Sequence, residues 1–274
     1  MVIYSKLLLL LFYISALMNK QQLILVGSAA ALFFILYFGC DTKTKEQKAI
    51  TQSRALSIET LDIKAYASET LEHLSDPTQK SSIQSLTQKA EGNDPSVLKQ
   101  LSAAWHDAGH DPIAAWYAEQ IATTEKTDEA WTIAGANFYL ALQKSKEDNI
   151  RDYCTQHAVD AFQNAVSLNP TKIEHKINLA LCYTENPPKD NPMKGTLLLL
   201  DLEKQNTGNI PVNLQLARLG IRTGQYDKAI ARLERILTAE PTNGKAICLL
   251  ADAYTEANNP KAAEMGKRCK DLMK

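Results

Sequence analysis

The sequence predicts an all-α fold, and two features of its 274 residues indicate it. Helix-forming residues dominate the composition, whereas the 11 glycines and 10 prolines fall mainly between stretches whose apolar residues recur at helical spacing. One apolar pattern also returns along the second half of the chain at a nearly fixed interval, which is typical of stacked helical hairpins. The chain is long enough to bury the core of one large or two ordinary domains.

Charge and cysteine content exclude several classes of protein. With 30 basic and 31 acidic residues, the chain has no concentrated positive charge for a nucleic-acid backbone, so we expect no nucleic-acid partner. Its five cysteines are far apart and include no Cys-x-x-Cys pair, which predicts neither a disulfide framework nor a zinc knuckle. Cys182 and Cys248 fall within apolar helical patterns. We therefore predict reduced cysteines that pack in the core, as in a cytosolic protein.

Two apolar stretches, residues 7–17 and 23–38, open the chain. Segment 23–39 has no charged residue and, at about 1.5 Å per residue, spans most of a hydrocarbon core roughly 30 Å thick. It predicts a transmembrane or signal-anchor helix, and hence a single-pass membrane protein. Residues 1–22 form a short apolar and basic segment. Because Met18 directly precedes Asn19-Lys20, a start of translation at Met18 is an alternative.

Two signals disagree about the side of the membrane on which the rest of the chain lies. The positive-inside rule favours the cytoplasm, because basic residues follow the predicted span. They are Lys43, Lys45, Lys48 and Arg54. Residues 36–40 instead resemble a bacterial lipoprotein cleavage box, in which Cys40 is acylated and the body is exported, although Tyr37 stands where that box has leucine. We expect the cytoplasmic side and keep the periplasmic one as the alternative.

Residues 40–56 and 57–94 precede the repeated part of the chain. The first segment is polar and charged without an apolar stripe, which predicts a tether. The second predicts a helical pair that caps the array, with Asp76-Pro77 as the N-cap and first-turn proline of its second helix, which ends before Gly92-Asn93. The apolar positions expected along its first helix are Ile58, Leu61, Ala65, Leu71 and Leu74.

Residues 95–274 contain the repeated pattern. Ala158, Phe162, Ala165 and Pro170 have the spacing A-x3-F-x2-A-x4-P, and the same spacing returns from Ala229 to Pro241. The helices between these elements carry an apolar residue, then a small residue, then usually an aromatic residue three positions later. Their leading apolar residues, at intervals of 33, 45, 37 and 34 residues, are Leu101, Ala134, Leu179, Leu216 and Leu250. The intervals indicate a basic period of about 34 residues with two insertions.

These patterns resemble those of tetratricopeptide repeat (TPR) proteins of bacterial type. The resemblance covers about Pro95 to Lys274 in roughly five repeats. It implies a right-handed α-solenoid of helix hairpins, here preceded by the predicted transmembrane helix. Each hairpin leaves an apolar face that the next hairpin covers. In this family the first helices of the hairpins line a concave groove that holds a segment of a partner protein.

Helical phase then predicts which side chains line the groove. They are Lys99, His106, Thr132, Tyr139, Asn178, Gln215, Arg218, Arg222, Lys245 and Asp252. Near the C-terminus the set is basic, so Arg218, Arg222 and Lys245 are candidate anchors for an acidic side chain or a terminal carboxylate. The alternative is that they are solvated surface charges. The carboxylate-binding residues of the family's chaperone-binding subclass are not matched here.

No catalytic motif stands in the sequence, so we expect no enzyme and no cofactor. His106 and His110 could share a helical face and bind a metal ion, but the residues from Gly109 to Pro112 predict a turn, and we expect no metal site. The expected function is a membrane-anchored scaffold that binds partner proteins or peptides in the groove. The alternative is an exported, lipoprotein-like TPR protein that captures an envelope peptide or a cell-wall component. The oligomeric state is not indicated.

Overall fold

The computed structural model describes Gln21 and residues 61–92 and 94–272. The chain divides into two units, Met1–Ile58 and Glu59–Lys274, and all described residues except Gln21 belong to the second unit. Most of the predicted N-terminal organisation therefore lies outside the described residues. This holds for the span at 23–39, the tether at 40–56, the alternative start at Met18 and the acylation of Cys40.

Helices joined by short turns build the second unit. In its described part there are twelve α-helices: α1 (Ile63–His73), α2 (Pro77–Lys89), α3 (Pro95–Asp107), α4 (Asp111–Glu125), α5 (Asp128–Lys144), α6 (Asp148–Leu168), α7 (Ile173–Glu185), α8 (Lys194–Gln205), α9 (Ile210–Arg222), α10 (Tyr226–Ala239), α11 (Gly244–Glu256) and α12 (Ala262–Leu272). A 3-10 turn, Ala90–Gly92, follows α2. The all-α prediction is confirmed.

Short polar side chains fix where half of these helices begin. Asp76 accepts hydrogen bonds from the backbone N–H groups of Thr78 and Gln79, and Pro77 occupies the first turn of α2, as predicted. Equivalent side-chain caps stand before α1, α3, α5, α9 and α11. They are Asp62, Asp94, Thr127, Asn209 and Asn243. These caps satisfy backbone donors that have no partner within the helix.

The apolar face of α1 differs from the predicted one. The helix begins at Ile63, so Leu61 precedes it and Leu74 is its C-cap. Its buried residues are Ile63 and Ala67, whereas Ala65 is exposed. The prediction placed the start too early, because Asp62, which caps the helix, was not recognised as the signal for its beginning.

Five hairpins follow α1 and α2, namely α3–α4, α5–α6, α7–α8, α9–α10 and α11–α12. The predicted repeat pattern marks their core: Ala158, Phe162 and Ala165 of α6 are at most 2% exposed. One apolar cluster joins Phe162 to Phe138 of α5 and to Tyr183 of α7, in the next hairpin. Each hairpin therefore covers an apolar face of its neighbour, which is how a TPR-like array gains its stability.

Two glycines allow helices to approach closely. A Cβ atom on Gly195, in α8, would lie 2.5 Å from the carbonyl oxygen of Ala180 and 2.8 Å from the backbone nitrogen of Thr184, both in α7. A Cβ atom on Gly135, in α5, would lie 2.8 Å from the ring of Phe162. A larger residue would have to displace the backbone of α7 at Gly195 and the ring of Phe162 at Gly135.

No helix in the described part of the chain is long and apolar enough to cross a membrane. This finding contradicts the predicted single-pass membrane location, with its cytoplasmic or periplasmic repeat domain. The physical reason is that these helices bury one face and expose charged residues on the other. Even α6, which is 21 residues long, carries Arg151, Asp152 and Asp160.

Two of the five cysteines form a disulfide, contrary to the prediction of reduced thiols. Cys248 of α11 is bonded to Cys269 of α12, with 4.9 Å between their Cα atoms. Spacing along the chain gave no sign of this pair, because the two residues meet only when the last hairpin closes. Cys154 and Cys182 are free and buried, and burial raises the pKa of each thiol to about 12. For these two cysteines the predicted role in core packing is confirmed.

Candidate functional site

First helices of four consecutive hairpins line a cavity of about 520 Å³, which we call the arginine cavity. Its lining residues come from α5, α7, α9 and α11, with one leucine from α8. They are Tyr139, Gln143, Leu181, Thr184, Glu185, Leu199, Gln215, Arg218, Leu219, Ile221, Arg222, Leu249 and Asp252. A volume of this size is typical of cavities that bind ligands.

The largest contribution comes from α9, because its two faces differ in polarity. Gln215, Arg218 and Arg222 recur at steps of three and four residues, so they share one face and line the cavity. Leu216 and Ala217 lie on the opposite side and are at most 4% exposed. Burial of the apolar face thus orients the polar one toward the cavity.

Of the ten predicted groove residues, nine fall into three sets, and Thr132 is described below. Those lining the arginine cavity are Tyr139, Gln215, Arg218, Arg222 and Asp252. Those lining a second cavity, described below, are Lys99 and His106. Those lining neither cavity are Asn178 and Lys245. The predicted residues therefore do not line one continuous cavity, and their role in binding stays a prediction.

The charged residues of the arginine cavity differ in their pairing. Arg222 donates to the carbonyl oxygen of Thr184 at 2.9 Å and lies 3.6 Å from the carboxylate of Glu185. By contrast, the side chains of Arg218 and Asp252 have no hydrogen bond or ion pair within residues 61–92 and 94–272. Arg222 is thus held by the protein, whereas Arg218 offers its full set of donors to a ligand.

Tyr139 adds a hydrogen-bonding group to the arginine cavity. The side-chain amide of Gln143 donates to its hydroxyl oxygen at 3.2 Å. Burial, with a further contribution from the negative charge of Glu185, raises the pKa of Tyr139 from 10.0 to about 12. The phenol therefore stays protonated at neutral pH and keeps its O–H as a donor for a ligand.

A second cavity, of about 480 Å³, lies between α3, α4 and α5, and we call it the alanine cavity. Small residues form much of its lining: Ala103, Ala114, Ala118 and Ala130. Two larger apolar residues of α5 line it as well, and they remain open to solvent: Ile133 is 59% exposed and Leu140 is 36% exposed. Apolar side chains left open in a concave surface are a common feature of binding sites.

Every charged group that lines the alanine cavity has a partner in the protein. Lys99 lies 2.9 Å from Glu125, which joins α3 to α4. Asp111 accepts a hydrogen bond from Lys144 at 2.8 Å and lies 2.6 Å from His106. The remaining carboxylate is that of Glu129, which is 3.9 Å from the Lys172 ammonium group. The charged groups of the lining are therefore paired within the protein, beside the apolar residues.

Asp111 connects three helices at one end of the alanine cavity. It is 6% exposed, and its two oxygens contact His106 of α3 and Lys144 of α5 separately. Burial alone would raise the pKa of its carboxyl, but the hydrogen bonds from Lys144 and His106 outweigh burial and lower it below 3.8. Asp111 is therefore a charged residue that fixes the position of His106.

Thr132, also predicted to face the groove, instead joins a buried hydrogen-bond cluster. Its hydroxyl donates to the carbonyl oxygen of Asp128 at 2.6 Å and lies 3.1 Å from Nδ1 of His175. His175 is fully buried, and its Nε2 lies 2.9 Å from the Asp128 carboxylate. A hydroxyl, an imidazole and a carboxylate thus meet as they do in some active sites. The imidazole has no exposed surface, and the cluster joins α5 to α7.

Sequence reasoning did not identify Ile133, Leu140, Asp111 or Lys144 as part of a site. One signal could have identified the two apolar residues, since Ile133 and Leu140 lie seven residues apart on the face of α5 that carries Asn137. No equivalent signal existed for Asp111 and Lys144, which are 33 residues apart in the chain. Across residues 61–92 and 94–272, no cluster of three or more metal-binding side chains is present.

Comparison with known structures gives low similarity. The crystal structure of MamA is 20% identical, covers 60% of this chain and 89% of its own, and has a TM-score of 0.40. The crystal structure of YrrB, titled "a TPR protein with an unusual peptide-binding site", is 15% identical, covers 68% of this chain and 91% of its own, and has a TM-score of 0.38. No curated protein matches the chain.

Sequence comparison with protein families finds one match. Residues 220–264 match the tetratricopeptide repeat family. This region begins at Gly220 of α9, includes α10 and α11, and ends within α12. It includes the Ala229-to-Pro241 pattern that the sequence analysis identified, and it indicates no catalytic family. The match is confined to this end of the array, and further helical hairpins lie on its N-terminal side.

Proposed function

We propose that this chain is a protein–protein interaction scaffold that binds partner proteins or peptides in a concave groove of its repeat array. In this proposal the array is a right-handed solenoid whose first helices line the groove. The observation that carries it is the arginine cavity, because one first helix from each of four consecutive hairpins contributes to it. A site built across several repeats fits an extended or helical segment better than a compact small molecule.

Arg218 is the proposed anchor of the partner. It lines the arginine cavity without a partner in the described residues, so its guanidinium can bind a carboxylate through two parallel hydrogen bonds. Arg222 has a different role in this proposal, because its contacts with Thr184 and Glu185 keep it against α7. Tyr139 and Gln215 line the same cavity and can donate hydrogen bonds to the backbone of the bound segment.

Selection of peptides tests the proposal. A library of random dodecapeptides displayed on phage is selected on the purified full-length chain, and enriched peptides are synthesised and titrated by fluorescence anisotropy. We expect specific peptides that bind wild-type protein and lose about tenfold in affinity with Arg218→Glu, because this change brings two negative charges together. Lys267→Glu, on exposed α12, is the matched control and leaves binding unchanged. A failure to enrich any peptide argues against a peptide-binding groove.

A further inference from the structure

Both cavities border α5, and consecutive residues of that helix line them. Tyr139 lines the arginine cavity and Leu140 lines the alanine cavity. The Cα atoms of consecutive residues are about 3.8 Å apart, so the linings of the two cavities meet at this point of α5. A ligand bound in the arginine cavity can therefore extend across α5 into the alanine cavity.

The pairing of charges shows what each cavity still requires from a ligand. Around the alanine cavity the charged lining residues already form ion pairs within the protein, while Ile133 and Leu140 remain exposed. That cavity is therefore complementary to apolar side chains. In the arginine cavity one cation and one anion, Arg218 and Asp252, lack partners throughout the described part of the chain. That cavity is complementary to a ligand with charges of both signs.

The order of the helices arranges these requirements along the array. The exposed apolar residues lie on α5, Arg218 lies on α9 and Asp252 lies on α11. Because successive hairpins stack in chain order, a segment that follows the first helices passes them in this sequence. Ile133 and Leu140 are separated by about 10 Å along α5, so they can accommodate two apolar side chains of the segment.

We propose that one partner segment occupies both cavities and carries apolar side chains, then an acidic residue, then a basic residue, in that order along its length. The apolar side chains bind against Ile133 and Leu140, the acidic residue binds Arg218, and the basic residue binds Asp252. This inference rests on the proposed function, which it deepens by giving the chemical pattern of the partner.

A charge exchange tests the order of the two charged residues. The phage selection is carried out on wild-type protein and on the double variant Arg218→Glu, Asp252→Lys. Lys267→Glu is the control, because it reverses one exposed charge as Arg218→Glu does. We expect wild-type peptides to show the order apolar, acidic, basic in either chain direction. The double variant is expected to prefer peptides with the acidic and basic residues exchanged, by about tenfold in affinity. If both proteins enrich the same peptides, the charge pattern is wrong.

The alanine cavity is tested separately with the enriched peptides. Ile133→Asn removes an apolar contact of the proposed site, and we expect it to weaken binding by about tenfold. Leu197→Asn is the matched control, since Leu197 of α8 is 53% exposed and lines neither cavity. If the two substitutions change the peptide affinity equally, the alanine cavity does not bind the apolar side chains of the peptide. Peptides that bind without the predicted pattern overturn this inference and leave the proposed function intact, whereas a lack of any binding peptide overturns both.

Discussion

Nε2 of His175 lies 2.9 Å from a carboxylate oxygen of Asp128, although 47 residues separate the two in the chain. Asp128 begins α5, and His175 lies in the first turn of α7, so this contact joins the first helices of successive hairpins. Asn169 and Lys172 reach the same carboxylate at 3.2 and 3.5 Å. The interface between these hairpins is therefore polar at the first turns of α5 and α7 and apolar further along the two helices.

Replacement of this histidine is the first prediction. We expect His175→Ala to lower the free energy of unfolding by about 2 kcal/mol or more, because it removes hydrogen bonds to a charged group and leaves a cavity. Urea denaturation followed by circular dichroism gives the value. His73→Ala, at an exposed position of α1, serves as the control and should change stability little. Equal stability of the two variants would show that the cluster contributes nothing.

The second prediction concerns acid stability. The pKa of Asp111 is lower in the folded protein than its ordinary value of 3.8, since hydrogen bonds from Lys144 and His106 outweigh the opposing effect of burial. The stabilising contribution is therefore complete above pH 3.8 and is lost as the pH falls through the lower folded value. Thermal denaturation at pH 7 and at pH 3 measures this loss. The loss should be smaller in Asp111→Asn, and an unchanged loss contradicts the assigned contacts.

Thiol chemistry provides the third prediction. A disulfide that closes 21 residues of chain stabilises a protein by about 3 kcal/mol, so Cys248→Ser with Cys269→Ser should lower the melting temperature. Dithiothreitol should lower it in wild-type protein and have no effect on the double variant.

Cys154 and Cys182 should resist a thiol reagent until the protein unfolds, because both are buried and their pKa values are raised to about 12. Rapid labelling of the oxidised native chain at these cysteines would contradict the structure.

A pair of glycine substitutions gives the fourth prediction. Gly195→Ala should destabilise the protein by about 1–3 kcal/mol, because the new Cβ would meet the backbone of α7. Gly266→Ala should stabilise it by about 0.5–1 kcal/mol, because Gly266 is helical and a Cβ there meets nothing within 4 Å. Chemical denaturation of the two variants compares identical changes in different packing environments. Effects of the same sign would argue against the close approach of α7 and α8.

The spacing of residues along the chain predicts which face of a helix is buried, but it does not predict contacts between separate helices. The recurrence of Ala158, Phe162 and Ala165 predicted a buried helical face because side-chain direction within a helix follows from sequence spacing. The contact of Asp111 with Lys144 and the bond of Cys248 with Cys269 depend on how separate helices meet, which spacing does not encode. For the same reason, the sequence predicted Arg218 and Arg222 as equivalent anchors, and only the packing of α7 against α9 distinguishes them.

The bond between Cys248 and Cys269 also affects the order in which the helices unfold. In a chain of hairpins that contact only their neighbours, loss of structure starts at the ends. The bond ties α12 to α11, whereas α1, the first helix of residues 61–272, buries only Ile63 and Ala67. Among the described helices, we therefore expect a protease to reach α1 before α12 in the oxidised chain.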